Sequence, residues 1–81
     1  MHRFLVVIEQ ADGNYSAYSP DLPGCAATGK NRKEVEENIR AAIEMHVQGL
    51  VEDGQPVPVS GSIAEYITIK EEIGSGQHLL M

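Results

Sequence analysis

Apolar residues along this chain change their spacing twice, and each change marks a join between elements. Residues 3–9, Arg-Phe-Leu-Val-Val-Ile-Glu, form a short run rich in β-formers, which predicts a strand rather than a helix. Ala11-Asp12-Gly13-Asn14 follows. Asp-Gly between two strand-like runs predicts a hairpin, because both residues tolerate the positive φ of a tight turn. Residues 3–10 are therefore expected to pair antiparallel with 14–19. Pro23-Gly24 then supplies a fixed φ and a residue free to take φ > 0, as positions i+1 and i+2 of a type II turn require, with Leu22 and Cys25 as flanks. Cys25 to Thr28 reads as a third strand beside the second, broken by Gly29.

After Gly29 the period lengthens. Val35, Ile39, Ala42, Ile43, His46, Val47 and Leu50 recur three and four residues apart, whereas Glu36, Glu37, Arg40, Glu44 and Gln48 fall elsewhere on the wheel. Asn31 is a suitable N-cap with Glu34 three residues on, the spacing of a capping box. Gly54 offers a stop, and Pro56 and Pro58 prevent continuation because they lack the needed N–H, so the helix is expected over about 32–52. Val57 to Ser62 reads as an extended loop. Glu65-Tyr66-Ile67-Thr68-Ile69 alternates again and predicts a fourth strand with Ile67 and Ile69 on one face. Residues 70–81, with Gly74-Ser75-Gly76 among them, read as a flexible tail.

This order predicts an α+β fold, β-β-β-α-β, with an antiparallel sheet and one long helix on one face. Phe4, Val6 and Ile8 point one way along the first strand, and Leu5 and Val7 the other, so both sheet faces carry apolar residues. One helix covers one face. Leu5, Val7, Tyr15 or Tyr18, and Tyr66 are left needing cover, which the loop at 55–62, a second copy or a partner protein would supply. Leu5, Val7 and Tyr66 are the expected oligomer face, in a homodimer or a higher homo-oligomer.

Composition narrows the setting. Eighty-one residues suggest one small domain. No apolar run approaches the roughly 20 residues of a membrane span, and Phe4 to Ile8 is too short for the core of a secretory signal, so a chain without a membrane segment is expected. A single cysteine, Cys25, cannot form an internal disulfide, and a cytoplasmic location is the default. Twelve acids against six bases give a net charge of −6, which repels phosphate backbones and suits a basic partner.

Single residues add little chemistry. His46 lies in the helix stripe without a Cys, Asp or second His at ligand spacing, and His2 and His78 near the ends form no constellation with it, so no metal site is expected. Cys25 reads as a small semi-buried hydrophobe rather than a nucleophile. Lys30, Arg32 and Lys33 gather where the helix dipole disfavours positive charge; a site for a phosphate or for an acidic partner segment is one reading, and a solvated turn balanced by Glu34, Glu36 and Glu37 is the favoured one.

The block Tyr15-Ser16-Ala17-Tyr18-Ser19-Pro20-Asp21-Leu22-Pro23-Gly24-Cys25, followed by Ala27-Thr28-Gly29, the amphipathic helix and Glu52-Asp53-Gly54-Gln55-Pro56-Val57-Pro58, resembles the HicB family, the antitoxin half of bacterial HicA–HicB toxin–antitoxin pairs. The resemblance covers roughly residues 3–69, making 1–69 a HicB-like domain and 70–81 its tail. It implies a partial ribonuclease H-like fold. Such a fold invites a search for clustered carboxylates, but Asp12 and Asp21 belong to turns and only Glu9 is left over, so a two-metal nuclease is the least favoured reading and no catalytic residue or cofactor is expected. Many HicB proteins carry a helix-turn-helix or ribbon-helix-helix segment after this domain. Residues 70–81 are too short and Gly-rich for either, so no direct DNA binding is expected.

The resemblance implies a protein that binds and neutralises a small basic HicA-like toxin that cleaves messenger RNA. Contact is expected through the turn and sheet edge at Tyr18, Asp21 and Leu22, with Glu36 and Glu37 on the helix outer face. An orphan HicB-like module, homo-oligomeric and structural or regulatory, is the alternative.

Overall fold

The computed structural model describes residues 2–71. Most of the tail expected over 70–81, with His78, lies outside the described residues. Strands β1 (Val7–Ala11), β2 (Asn14–Tyr18) and β3 (Ala26–Gly29) form one antiparallel sheet in the order β1-β2-β3, followed by helix α1 (Arg32–Glu52). The α+β class and the β-β-β-α order with one long helix are as the sequence predicts; the fourth strand is not among them.

Turn chemistry sets the register. Ala11 pairs with Asn14 and Val7 with Tyr18, so Asp12-Gly13 is a two-residue loop. Only Gly13 takes a positive φ (67°), so the type I′ geometry expected from Asp-Gly, which needs it at both positions, does not form. The proline segment is wound more tightly. Leu22 N–H donates to the Ser19 carbonyl across Pro20-Asp21 (3.1 Å), and Cys25 N–H donates to the Leu22 carbonyl across Pro23-Gly24 (3.0 Å). Gly24 at φ 82° completes the type II turn. Ser19 N–H closes the segment on the Cys25 carbonyl (3.2 Å), and Leu22, at the junction of the two turns, points inward.

Both ends of α1 are closed by side chain or backbone. Asn31 Oδ1 accepts from Glu34 N–H (2.8 Å), while Glu34 Oε1 reaches back to Lys30 N–H (2.7 Å), one residue earlier than the usual box partner. At the other end Gly54 (φ 70°) donates to the Val51 carbonyl and Gln55 N–H to the Leu50 carbonyl, the paired bonds of a Schellman motif.

Ala17, Leu22, Cys25, Val35 and Ile39 form the buried core, with Phe4, Val6, Ile8, Tyr15, Ala27, Ala42 and Ile43 half-buried around it. The helix lies across β3 and, less closely, β2. Its stripe is buried at Val35 and Ile39 and only half-buried at His46, Val47 and Leu50, so its C-terminal half overhangs the sheet.

Three expectations need correction. The first strand does not begin at residue 3: the ladder starts at Val7, because its partner β2 ends at Tyr18 and the chain turns away at Ser19-Pro20. The third begins at Ala26 and includes Gly29, which pairs with Tyr15 rather than breaking the strand. No fourth strand forms over 65–69; residues 55–71 carry no regular secondary structure.

Candidate functional site

Because α1 covers β2 and β3 but not the inner side of β1, a cleft opens between the two. Phe4, Val6 and Ile8 form its floor, Ile39, Ile43 and Val47 its wall, and its volume is about 740 Å³. Glu36, Arg40, Glu44 and Gln48, one i, i+4 row of the helix, make the rim. Glu36 also accepts from Arg32 Nε (3.0 Å), an exposed pair of small energetic weight. The cleft is thus apolar inside, with charges of both signs along one lip. Beside it runs the outer edge of β1, whose only strand partner among the described residues is β2. An edge of this kind is competent to receive another strand.

Asp21 organises a second feature. Its Oδ1 accepts from Ser62 Oγ (2.9 Å), and its Oδ2 from Ser60 Oγ (3.2 Å) and Ser62 N–H (3.4 Å). A turn after β2 is thereby joined to a loop some forty residues later in the chain. The Ser62 hydroxyl holds the Asp21 carboxyl below its ordinary 3.8; lost hydration pulls the other way, and the N–H groups of Ser62 and Gly61 and the Ser60 hydroxyl reinforce the lowering. A carboxyl lowered in the folded state stabilises the clamp fully above its ordinary value and loses that effect as pH falls through the folded one. A titration of the Ser62 amide resonance should therefore show a midpoint below 3.8, and Asp21→Asn should abolish it and speed amide exchange over 60–62. A midpoint at or above the ordinary value would remove the clamp.

The residues expected to touch a partner are not all available. Tyr18, 44% exposed, lies opposite Val7 on the sheet face away from α1, with Leu5 half-buried nearby on that face. Tyr15 belongs to the other face, half-buried against the core. Leu22 is corrected outright: it is 0% exposed, because the double turn folds it under the sheet end, and it serves the core. Asp21 spends its carboxylate within the chain. Glu36 stands on the cleft rim, Glu37 is exposed, and Tyr66 is fully exposed in the segment after the clamp.

Sequence reasoning missed the cleft, Arg40 and Gln48 on its rim, and Ser60 and Ser62. The i, i+4 spacing of 36, 40, 44 and 48 was the available signal for the rim; nothing in the sequence pairs Asp21 with Ser62. Cys25 is buried, which pushes its thiol up and away from nucleophilic use. Ser19 Oγ is buried with no hydrogen-bond partner among the described residues. Among the described residues no three His, Cys, Asp or Glu gather as metal ligands, and no helix is long and apolar enough to cross a membrane.

Comparison with known proteins gives this surface a context. The family model described as HicB-like antitoxin of bacterial toxin–antitoxin systems matches residues 4–78. A UPF0150 protein of Synechocystis is 34% identical over 70 residues, covering 85% of this chain and 89% of its own. A UPF0150 protein of Archaeoglobus fulgidus is 40% identical over 60 residues, 70% of this chain and 87% of its own. An uncharacterised 14.9 kDa protein of Haemophilus phage HP1 is 35% identical over 66 residues; these are 82% of this chain but only 50% of the phage protein, so the chain spans about half of that relative. No solved structure matches.

Proposed function

The chain belongs to the HicB-like antitoxin family, and on that premise we propose that it acts by binding a small basic toxin of the HicA type, an enzyme that cleaves messenger RNA, and covering its active site. The family match is the observation that carries this reading. The charge supports it. A net charge of −6, with Glu36, Glu37 and Glu44 exposed along the helix, attracts a basic protein and speeds encounter, while apolar contact holds the complex once formed. Binding alone is asked of the chain, in the cytoplasm where its target would cut RNA. The finer likeness, a partial ribonuclease H-like layer, is part of the same proposal and is supported by the β1-β2-β3 meander followed by α1.

If an adjacent reading frame encodes a small basic protein, co-expression with it tests this. Growth should be rescued and the two should co-purify; a toxic neighbour left unbound would end the antitoxin reading. In the complex, Glu36→Lys with Glu37→Lys should slow association about tenfold or more at low ionic strength and much less at high salt, as rim charges do.

The orphan module, homo-oligomeric and without a toxin, is favoured by a different observation. Among the described residues the β1 edge is unpaired on its outer side, and Ile63, Tyr66, Ile67 and Ile69 are exposed. If no neighbouring toxin exists and the chain self-associates, this second reading replaces the first.

A further inference from the structure

Two unsatisfied features of the molecule are complementary in shape, length and chemistry. One is the β1 border with its cleft. The other is the segment from Ile63 to Ile69, whose pattern Ile-Ala-Glu-Tyr-Ile-Thr-Ile is that of a strand, yet which pairs with nothing in its own sheet. Ile63 is 83% exposed, Ile67 77% and Ile69 79%. Exposed β-branched runs of this length are rare on a lone molecule and mark association sites. Its root is tied to the Asp21 turn through Ser62, and beyond that tie the segment is exposed and without regular secondary structure, a free arm among the described residues.

We infer that the arm of one copy adds as a strand to the β1 edge of a second copy and lays its isoleucines in that copy's cleft, the exchange being reciprocal. Seven residues extended at about 3.3 Å each span about 23 Å, close to the reach of the border from Phe4 to Ala11. Alternation puts Ile63, Glu65, Ile67 and Ile69 on one side of the arm and Ala64, Tyr66 and Thr68 on the other. With the isoleucines against Phe4, Val6, Ile8, Ile43 and Val47, Glu65 comes to the lip that carries Arg40. The opposite side then carries Tyr66 to the sheet face of Leu5, Val7 and Tyr18. One added strand thus covers both apolar faces of β1, and a two-fold pairing closes the assembly. The inference concerns a second copy of this chain and needs no toxin.

The test uses the full chain alone. Light scattering after size exclusion should give twice the 8.8 kDa of one chain, and Ile67→Asp with Ile69→Asp should give a monomer whose circular dichroism and thermal unfolding report an intact fold, since both positions are exposed in the single copy. In a mixture of isotope-labelled and unlabelled chains, intermolecular contacts should link Ile67 and Ile69 methyls to those of Val6, Ile8 and Val47. Glu65→Arg should weaken dimerisation several-fold, and adding Arg40→Glu in the same chain should restore it. A monomer at all concentrations, a dimer indifferent to the arm substitutions, or arm contacts confined to one molecule would each overturn the inference. A chain monomeric alone, whose cleft is occupied only on adding the basic neighbour, would overturn it while leaving the antitoxin reading intact.

Discussion

Leu22→Ala is expected to lower the free energy of unfolding by about 3–5 kcal/mol, read from denaturant midpoints at unchanged slope. Leu22 is 0% exposed and sits at the junction of two consecutive turns, whose hydrogen bonds from Leu22 N–H and to its carbonyl hold the backbone in place. The turns resist collapse around a smaller side chain, because Pro20 and Pro23 fix φ on both sides. The cavity therefore stays open and the loss falls at the high end for such truncations. Domain stabilities run about 5–15 kcal/mol, with small domains at the lower end, so the variant should be largely unfolded at 37 °C. A loss below about 1 kcal/mol would show that the junction relaxes and that Leu22 is not the peg between turn and core.

Gly29→Ala should destabilise by about 1–3 kcal/mol or more, for a steric reason that side-chain motion cannot relieve. A Cβ there would lie 2.5 Å from Val35 N and 2.8 Å from Val35 Cα, both backbone atoms of α1. The helix would have to lift from the end of β3, and Val35, 0% exposed, would leave the core with it. Gly24 is the control. A Cβ at Gly24 meets nothing within 4 Å, so Gly24→Ala carries only the conformational cost of its φ of 82°, about 1–2 kcal/mol. In a crystal or solution structure Gly29→Ala should shift the helix axis, whereas Gly24→Ala should leave it in place. Equal effects with no helix movement would refute the close approach.

The parts of the fold legible in the sequence are those fixed by neighbours in the chain. Asn31 and Glu34 at one end and Gly54 at the other give α1 its limits, and Pro23-Gly24 gives the type II turn, because caps and turns are settled within a few residues. What depends on distant partners was not legible. Residues 3–6 have the strand pattern but no ladder, since β2 stops at Tyr18. Residues 65–69 also have the pattern, yet a period of two states only that a segment can pair and not with which edge. Leu22 between two prolines read as exposed, and its burial follows from the return of the turn upon itself. The join of Asp21 to Ser60 and Ser62 spans a separation that no local rule bridges.

An open β1 border and a greasy free arm on the same molecule also carry a hazard. If the arm of each molecule engaged the next in a head-to-tail row instead of returning to its donor, nothing would halt growth, and filaments would result. Mutual repulsion between chains of charge −6 opposes that route at low ionic strength and is screened as salt rises. Concentrated stocks kept in dilute buffer should accordingly stay clear, and turbidity should appear first where salt is high.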